Sequence, residues 1–147
     1  METDECVFCA IVQGRAEASF VHADDAVVAF MDLNPINPGH LLVVPRSHRP
    51  YLNDLDEHVG ALMWRVAHRC VRALRRSGLR ADGVNLFLAD GEPAGQEVFH
   101  AHLHVIPRYS GDSLRIETHA QRGERAELDT NAALIGRVLA GLPAVPA

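Results

Sequence analysis

The chain has 147 residues, of which 48% are apolar and 22% are charged, a composition typical of one globular domain. Its formal charge of −5 provides no overall field that would attract it to nucleic acid or to an anionic membrane. All 14 basic residues are arginine, so a catalytic or Schiff-base lysine is excluded.

The sequence favours a cytoplasmic protein. Residues 1–5 are acidic at the point where a signal peptide would be basic, and no apolar stretch reaches the roughly 18 residues of a membrane span. The three cysteines, two of them three positions apart, do not resemble a secreted disulfide framework. We therefore expect neither a membrane nor nucleic acid as a partner.

The first third of the chain predicts one short helix and three strands. Cys6–Gln13 is short and apolar, which favours a helix. Phe20–His22 and Ala26–Phe30 predict two strands joined by a turn. After the loop Asn34–Gly39, which contains two prolines, the wholly apolar run Leu41–Val44 predicts a buried strand.

The clearest helix follows. Its apolar residues recur every three or four positions and form one stripe: Val59, Leu62, Met63, Val66, Ala67, Cys70 and Leu74. Asn53 or Asp54 is predicted to cap its start, and Gly78 to end it. We interpret Cys70 as a core thiol. The arginines off the stripe predict a solvated face, with phosphate binding as the alternative: Arg65, Arg69, Arg72, Arg75 and Arg76.

Two more strands and a C-terminal helix complete an α+β pattern. Gly83–Ala89 and Val98–Ile106 predict strands on either side of the turn Asp90–Gly95. The segment from Glu124 to Leu142 has helical spacing at Leu128, Ala132, Ile135 and Leu139. Since the sequence shows no repeat and no linker, we predict a single domain over residues 1–147.

Three histidines, His100, His102 and His104, alternate along the second of these predicted strands. Alternate side chains of a strand share one face, so the three residues would stand about 6–7 Å apart at the backbone. Such a face can bind a metal ion, or it can contain one nucleophilic histidine that its neighbours orient. A metallohydrolase normally needs a nearby carboxylate, and no Asp or Glu alternates with the triplet. The pattern favours covalent chemistry at histidine, with a metallohydrolase as the alternative.

A turn that contains glycine lies just ahead of the histidines. Gly91 and Gly95 allow the backbone to approach a ligand closely, and the amides after such a turn can form an anion-binding concavity. A plain β-hairpin turn is the alternative interpretation. The position of the turn Asp90–Gly95 next to three histidines favours phosphate binding.

The segment Ala94–Pro107 resembles the signature of the histidine-triad (HIT) family, in which three histidines alternate with apolar residues. The resemblance extends through Val27–Asp32 and Asn37–Pro45, and it covers most of the chain from Cys6 to Arg108. It implies an α+β fold with a five-stranded antiparallel sheet, one long helix and shorter terminal helices, usually assembled as a homodimer.

The resemblance also implies nucleotidyl transfer. The middle histidine, His102, would attack the α-phosphorus of an AMP–X substrate, and water would then hydrolyse the nucleotidyl-histidine. His104 and His40 would lie against the phosphate or the leaving group, with His100 behind them. The substrate would be a phosphoramidate, a dinucleoside polyphosphate or an adenylate. A slow nucleotide-binding or regulatory module is the alternative function.

The nucleotide contacts of the family correspond to further residues of this chain. Asp32 matches the position that binds the ribose hydroxyls of a purine nucleotide. The apolar walls around the base match Phe8, Ile11, Phe30 and Leu33. The phosphate-side loop matches Gln96 and the backbone amides of Glu97 and Val98. Many relatives carry Asn or Gln where this chain has Ala89, and Asn85 is the candidate replacement for that donor.

The spacing of Cys6 and Cys9 is that of half a zinc site, and a redox pair or two free thiols are the alternatives. Some bacterial relatives complete the site with two histidines, which correspond here to His48 and His100. The resemblance therefore implies a structural Zn²⁺ with a Cys₂His₂ ligand set, which would pin the N-terminal helix to the sheet.

Overall fold

The computed structural model describes residues 6–144. Its helices are α1 (Val7–Val12), α2 (Glu57–Leu74) and α3 (Arg125–Gly141). Its strands are β1 (Phe20–Ala23), β2 (Val27–Met31), β3 (Leu41–Pro45), β4 (Gly83–Phe87) and β5 (Leu103–Arg108). Short 3₁₀ helices span Leu52–Asp54 and Glu92–Ala94, the second within the predicted turn. Residues 1–5, whose acidic character supports the prediction of a cytoplasmic protein, lie outside the described residues.

The strands form one antiparallel sheet in the order β1-β2-β3-β5-β4. The last strand in sequence, β5, lies between β3 and β4, so it pairs with both. His104 of β5 is consequently opposite Leu42 on one side and Phe87 on the other. The predicted five-stranded antiparallel α+β fold is confirmed.

Both faces of the sheet are buried at its centre because β2 and β3 are apolar at every position. On one face, Val27, Val43 and Val105 pack with α2. On the other face, Val28 and Leu42 pack with α1. The histidine of β5 belongs to this second face, since its neighbours along the strand, among them Val105, point toward α2.

Helix α2 confirms the predicted stripe, because its buried residues are Met63, Val66, Ala67, Cys70 and Leu74. Burial raises the pKa of the Cys70 thiol, as expected for an unreactive core cysteine. The predicted caps are wrong. The carboxylate of Asp56 accepts hydrogen bonds from two backbone N–H groups of the first turn, whereas Asn53 and Asp54 belong to a 3₁₀ helix. The helix ends at Leu74, before Gly78.

Strand β5 begins at Leu103, five residues later than predicted, and His100 and His102 therefore lie outside it. The prediction that all three histidines share one strand face is wrong. A backbone contact takes the preceding segment out of the ladder, since Ala101 N–H donates to the carbonyl of Arg49 at 2.7 Å. The three histidines consequently occupy three different environments.

The loop before β3 is anchored to the end of β5. The side-chain amide of Asn37 is buried and donates to the carbonyl of Pro107 at 2.8 Å and to Asp112 at 2.9 Å. Gly39 has a φ of +96°, and a Cβ atom there would lie 2.9 Å from a methyl carbon of Leu74. Only glycine fits this conformation and space, and it sets the position of His40.

The chain divides into two compact units after Ser113. The first contains the sheet with α1 and α2. The second contains α3, which confirms the predicted C-terminal helix, although none of its residues is buried. We predict a single domain over residues 1–147 and a homodimer, and both stay predictions. Among the described residues, no helix combines the length and apolar character needed to cross a membrane.

Candidate active site

Three polar side chains from different parts of the sheet meet on the face opposite α2. Asp32 follows β2, His40 precedes β3 and His104 lies in β5. Nε2 of His40 is 2.9 Å from Nδ1 of His104 and 3.4 Å from Oδ2 of Asp32. Strand pairing thus brings to the triad a carboxylate that does not alternate with it in sequence.

Backbone contacts determine which nitrogen of each imidazole carries the proton. Ile36 N–H donates to Nδ1 of His40 at 3.1 Å, so in the neutral ring the proton of His40 lies on Nε2. That Nε2–H faces Nδ1 of His104, which must then accept. The neutral ring of His104 consequently keeps its own proton on Nε2, where it is available as a donor.

His102 has the opposite tautomer. Its Nδ1 lies 2.7 Å from the carbonyl oxygen of His100, and because a carbonyl only accepts, this nitrogen carries the proton. The lone pair is therefore on Nε2. The ring is buried, with its centroid 4.9 Å from that of His104 and 5.0 Å from that of Phe8. Nδ1 donates and Nε2 is left to attack, which is the arrangement that a nucleophilic imidazole requires.

The site keeps its histidines neutral. Burial lowers the pKa of His102, although its hydrogen bond to the His100 carbonyl and the charges of Asp32 and Glu97 act in the opposite direction. Burial, followed by the proximity of His102 and His40, lowers the pKa of His104 to about 4. Burial also lowers the pKa of His40. Near pH 7, all three rings are in the form that can act as nucleophile or hydrogen-bond relay.

Stability should decrease in mild acid because of these shifts. The pKa of His104 is about 4 in the folded chain and 6.5 as the ordinary value, so between these values the unfolded chain binds more protons. We expect the free energy of unfolding to decrease as the pH falls from 6.5 toward about 4. Urea unfolding at a series of pH values measures this slope. In His104→Gln the slope should be shallower, and an unchanged slope would contradict the assignment.

The loop after the 3₁₀ helix Glu92–Ala94 leaves backbone donors free. Within the described part of the chain, the amides of Glu97 and Val98 donate no hydrogen bond. The Gln96 side chain, in contrast, is committed to holding the loop. Its Oε1 accepts from Gly91 N–H at 2.7 Å, and its Nε2 donates to the carbonyls of Pro50 at 2.6 Å and Val98 at 3.1 Å. The predicted phosphate loop thus offers backbone amides, with Gln96 as its brace.

The predicted base-binding residues divide into two groups. Phe8, Ile11 and Phe30 are buried together on the α1 face, with the rings of Phe8 and Phe30 5.7 Å apart. Leu33 is 93% exposed and packs against none of them. Asn85 is engaged elsewhere, because its Oδ1 accepts from the guanidinium of Arg108, and its role as a replacement donor stays a prediction.

A second cluster lies behind His102. Ligand atoms of Cys6, Cys9, His48 and His100 all lie within 4.8 Å of one another, as the zinc prediction requires. Nδ1 of His100 is 3.5 Å from both sulfurs, and Nδ1 of His48 is 3.3 Å from Cys9 Sγ. In a tetrahedral zinc site with bonds of about 2.3 Å to sulfur and 2.0–2.1 Å to nitrogen, the S···N distance is about 3.5–3.6 Å. The two distances from His100 agree with this value and that from His48 is slightly shorter, so the four side chains lie close enough to bind one zinc ion.

The two clusters differ in the hydrogen bond that His100 and His40 make with the ring nitrogen that points away from the cluster. Nε2–H of His100 donates to the carbonyl of Pro45 at 2.8 Å, which leaves Nδ1 as a lone pair toward the sulfurs, the usual arrangement around a metal-bound histidine. Asp32, His40 and His104 also converge closely enough for a metal. In this second group, however, the hydrogen bond from Ile36 N–H to Nδ1 leaves the proton of His40 on Nε2, the nitrogen that faces Asp32 and His104. The geometry favours a metal at the cysteines and a hydrogen-bond chain at Asp32.

Burial and the neighbouring Cys6 raise the pKa of Cys9 to about 11. A cation would have to displace the thiol proton, as zinc does. Nε2 of His48 is buried, and it is the only buried side-chain nitrogen or oxygen in the described residues that has no hydrogen-bond partner. This ring is thus held in place by its contacts with Cys9 and with His100, whose ring centroid is 5.1 Å away.

The sequence prediction missed the groups that set the tautomers, because they are backbone atoms. The carbonyls of Pro45 and His100 and the amide of Ile36 orient His100, His102 and His40, and the His40 ring in turn orients His104. Every residue carries such groups, so no side-chain pattern could have identified them.

Comparisons with known proteins identify the family. The model of the HIT domain matches residues 13–111. An uncharacterized HIT-like protein of Borreliella burgdorferi is 36% identical over 126 residues, which are 85% of this chain and 88% of that protein. Adenylylsulfatase HINT3 of Arabidopsis thaliana is 34% identical over 76% of this chain and 56% of its own length. A solved structure, a zinc-bound histidine triad family protein from Mycobacterium smegmatis, is 39% identical with a TM-score of 0.73, and covers 93% of this chain and 99% of its own.

Proposed function

Because the chain belongs to the HIT family, we propose that it is a nucleotide hydrolase or transferase that cleaves AMP–X substrates through a nucleotidyl-histidine on His102. The observation that carries the proposal is the hydrogen bond of 2.7 Å from His102 Nδ1 to the His100 carbonyl. This bond leaves the nucleophilic lone pair on Nε2. The adenylylsulfatase name of the plant relative supports an adenylate or a related conjugate as the substrate class.

In the first step, Nε2 of His102 forms a bond to the α-phosphorus as the bond to the leaving group X breaks. The leaving group departs with the electron pair, and Nε2–H of His104 supplies its proton. The chain Ile36–His40–His104 holds the proton on that nitrogen. Water then attacks the phosphorus and gives its proton to Nε2 of His104, which restores that ring, while the P–N bond breaks with its electron pair returning to Nε2 of His102, so that AMP leaves and His102 is again neutral.

The nucleotide is held by groups that surround the nucleophile. Asp32 is only 17% exposed at its side chain and offers its carboxylate oxygens to the ribose hydroxyls. The free amides of Glu97 and Val98 bind phosphate oxygens. The apolar group of Phe8, Ile11 and Phe30 supplies contact area for a purine base.

We also propose that Zn²⁺ binds to Cys6, Cys9, His48 and His100. With four protein ligands the site is closed, so the ion would supply structural cross-linking rather than a reactive water. The choice of metal is supported by the similar Mycobacterium smegmatis protein, whose structure is zinc-bound.

Intact-protein mass spectrometry tests the proposed reaction. The protein is mixed with an adenosine phosphoramidate and quenched in a time course. We expect the mass of one AMP to be added to the chain early in the reaction, and free AMP to accumulate in solution. If neither adduct nor free AMP forms with phosphoramidate, dinucleoside polyphosphate or adenylate, while AMP still binds, the protein is a binding module.

A further inference from the structure

His100 is shared between the cysteine cluster and the nucleophile. Its side chain is fully buried, with Nδ1 3.5 Å from each of the two sulfurs of Cys6 and Cys9. Its carbonyl oxygen accepts from Nδ1 of His102 at 2.7 Å. A single residue therefore links the metal ligands to the group that sets the tautomer of the nucleophile.

The sheet does not hold this carbonyl in place. Strand β5 begins at Leu103, so the peptide after His100 takes no part in the strand ladder. Within that peptide, Ala101 N–H donates to the Arg49 carbonyl at 2.7 Å. The residue is held further by His100 N–H, which donates to the Val98 carbonyl at 2.9 Å, and by the His100 ring with its partners. Of these, only the ring is tied to the cysteine cluster.

A second connection runs through α1. Phe8 lies between the two cysteines in sequence, and its ring packs edge-on against both His100, at a centroid distance of 6.0 Å, and His102, at 5.0 Å. Bonds from one ion to Cys6 and Cys9 would fix the turn that carries this ring. The cluster thus positions both the hydrogen-bond acceptor of His102 and one wall of its pocket.

We propose that the metal at Cys6, Cys9, His48 and His100 acts as a positioning device for the nucleophile, and that its occupancy determines how much of His102 is held in the reactive orientation. The inference rests on the proposed function for its catalytic consequence. With the ion bound, the ring and carbonyl of His100 are fixed, and His102 keeps its proton on Nδ1. Without it, the ring keeps its hydrogen bond to Pro45 and the peptide keeps the bond from Ala101 N–H to Arg49, but the bonds to the ion are missing, so the carbonyl and His102 are held less firmly.

His48 allows this coupling to be tested. It belongs to the cluster, and within the described part of the chain it makes no contact with His102. His48→Ala removes a metal ligand, whereas His48→Cys replaces it with another zinc ligand. His22→Ala serves as a matched control, since His22 pairs with Asp24 at 2.8 Å on the surface, away from the cluster. Zinc content, the rate of AMP-adduct formation, AMP affinity and the ¹⁵N NMR tautomer signal of His102 are measured for each variant.

We expect His48→Ala to lose zinc and to form the adduct roughly 10- to 100-fold more slowly, the usual cost of disturbing groups that orient a functional side chain. AMP affinity should fall much less than the adduct rate, because among the proposed nucleotide contacts only Phe8 is tied to the cluster, and the NMR signal should show a mixture of His102 tautomers. His48→Cys should restore zinc, the tautomer and the rate, and His22→Ala should match the native protein.

If His48→Ala does not fold, the native protein is prepared at graded zinc occupancy, and the adduct rate should follow occupancy. A zinc-free, folded protein with the native rate and a single Nδ1–H tautomer would overturn the proposal. If no adduct forms even in the zinc-loaded native protein, the proposed function fails. The tautomer signal then still decides whether zinc positions His102.

Discussion

His102→Asn should abolish turnover and leave nucleotide binding intact. The substitution removes the Nε2 lone pair, so no bond to phosphorus can form, and we expect the rate to fall roughly 10⁴- to 10⁶-fold, the range seen when a nucleophile or its activating base is removed. Asn can still donate to the His100 carbonyl, which preserves the local fold. Single-turnover release of AMP and calorimetric binding of AMP measure the two quantities.

His104→Asn is the matched variant for this experiment. It keeps the nucleophile and removes the proton donor, so the adduct should still form with a good leaving group, at a reduced rate. The covalent assignment is contradicted if His102→Asn releases AMP at the native rate. If His102→Asn loses both AMP binding and bound metal, the triad itself ligates a metal, as in the metallohydrolase alternative.

Removal of the metal should lower thermal stability by a large amount. An ion present at about a thousand times its dissociation constant stabilises the folded state by about 4 kcal/mol, which corresponds to roughly 8–16 °C in Tm for a chain of this size. Both Cys9→Ala and treatment of the native protein with a strong chelator should produce a decrease of this order. Differential scanning calorimetry with elemental analysis of the same samples measures it.

Cys70→Ala separates zinc binding from the general cost of losing a buried cysteine. Cys70 lies on the buried face of α2, in the core on the other side of the sheet from the cluster, and its substitution also removes one sulfur. Its Tm should fall by the same amount with and without zinc, and its metal content should equal that of the native protein. If the purified native protein contains no metal and added zinc leaves its Tm unchanged, Cys6 and Cys9 are free thiols.

Much of the fold could be predicted from local patterns. The stripe of α2 and the apolar runs of β2 and β3 are properties of neighbouring residues, so they can be read within one segment. The errors occurred where a longer-range contact competes with propensity. The apolar and histidine residues ahead of Leu103 suit a strand, but the hydrogen bond from Ala101 to Arg49 takes them out of the sheet. Asp56 caps α2 instead of Asp54 because Asp54 belongs to the 3₁₀ helix Leu52–Asp54, which ends before α2 begins.

The sequence by itself determined the chemical inventory of the site. The alternating histidines, the cysteine pair and the resemblance to the HIT family identified the residues that meet in the two clusters. Such motifs consist of particular residue types a few positions apart, so they can be recognised in the sequence directly. The positions of Leu33 and Asn85, in contrast, could not be read in this way, since one is exposed and the other accepts from Arg108 across the sheet.

Only the tertiary structure decided what each histidine does. The pairing of β3 with β5 places Asp32 and His40 beside His104, and the carbonyls of Pro45 and His100 set which nitrogen carries the proton. The physical reason is that a tautomer depends on the donor or acceptor at each ring nitrogen. Those partners are backbone groups common to all residues. The fold brings the Pro45 carbonyl to His100 from a distant part of the chain, whereas the partners of His102 and His40 are near in sequence and depend on the local backbone conformation.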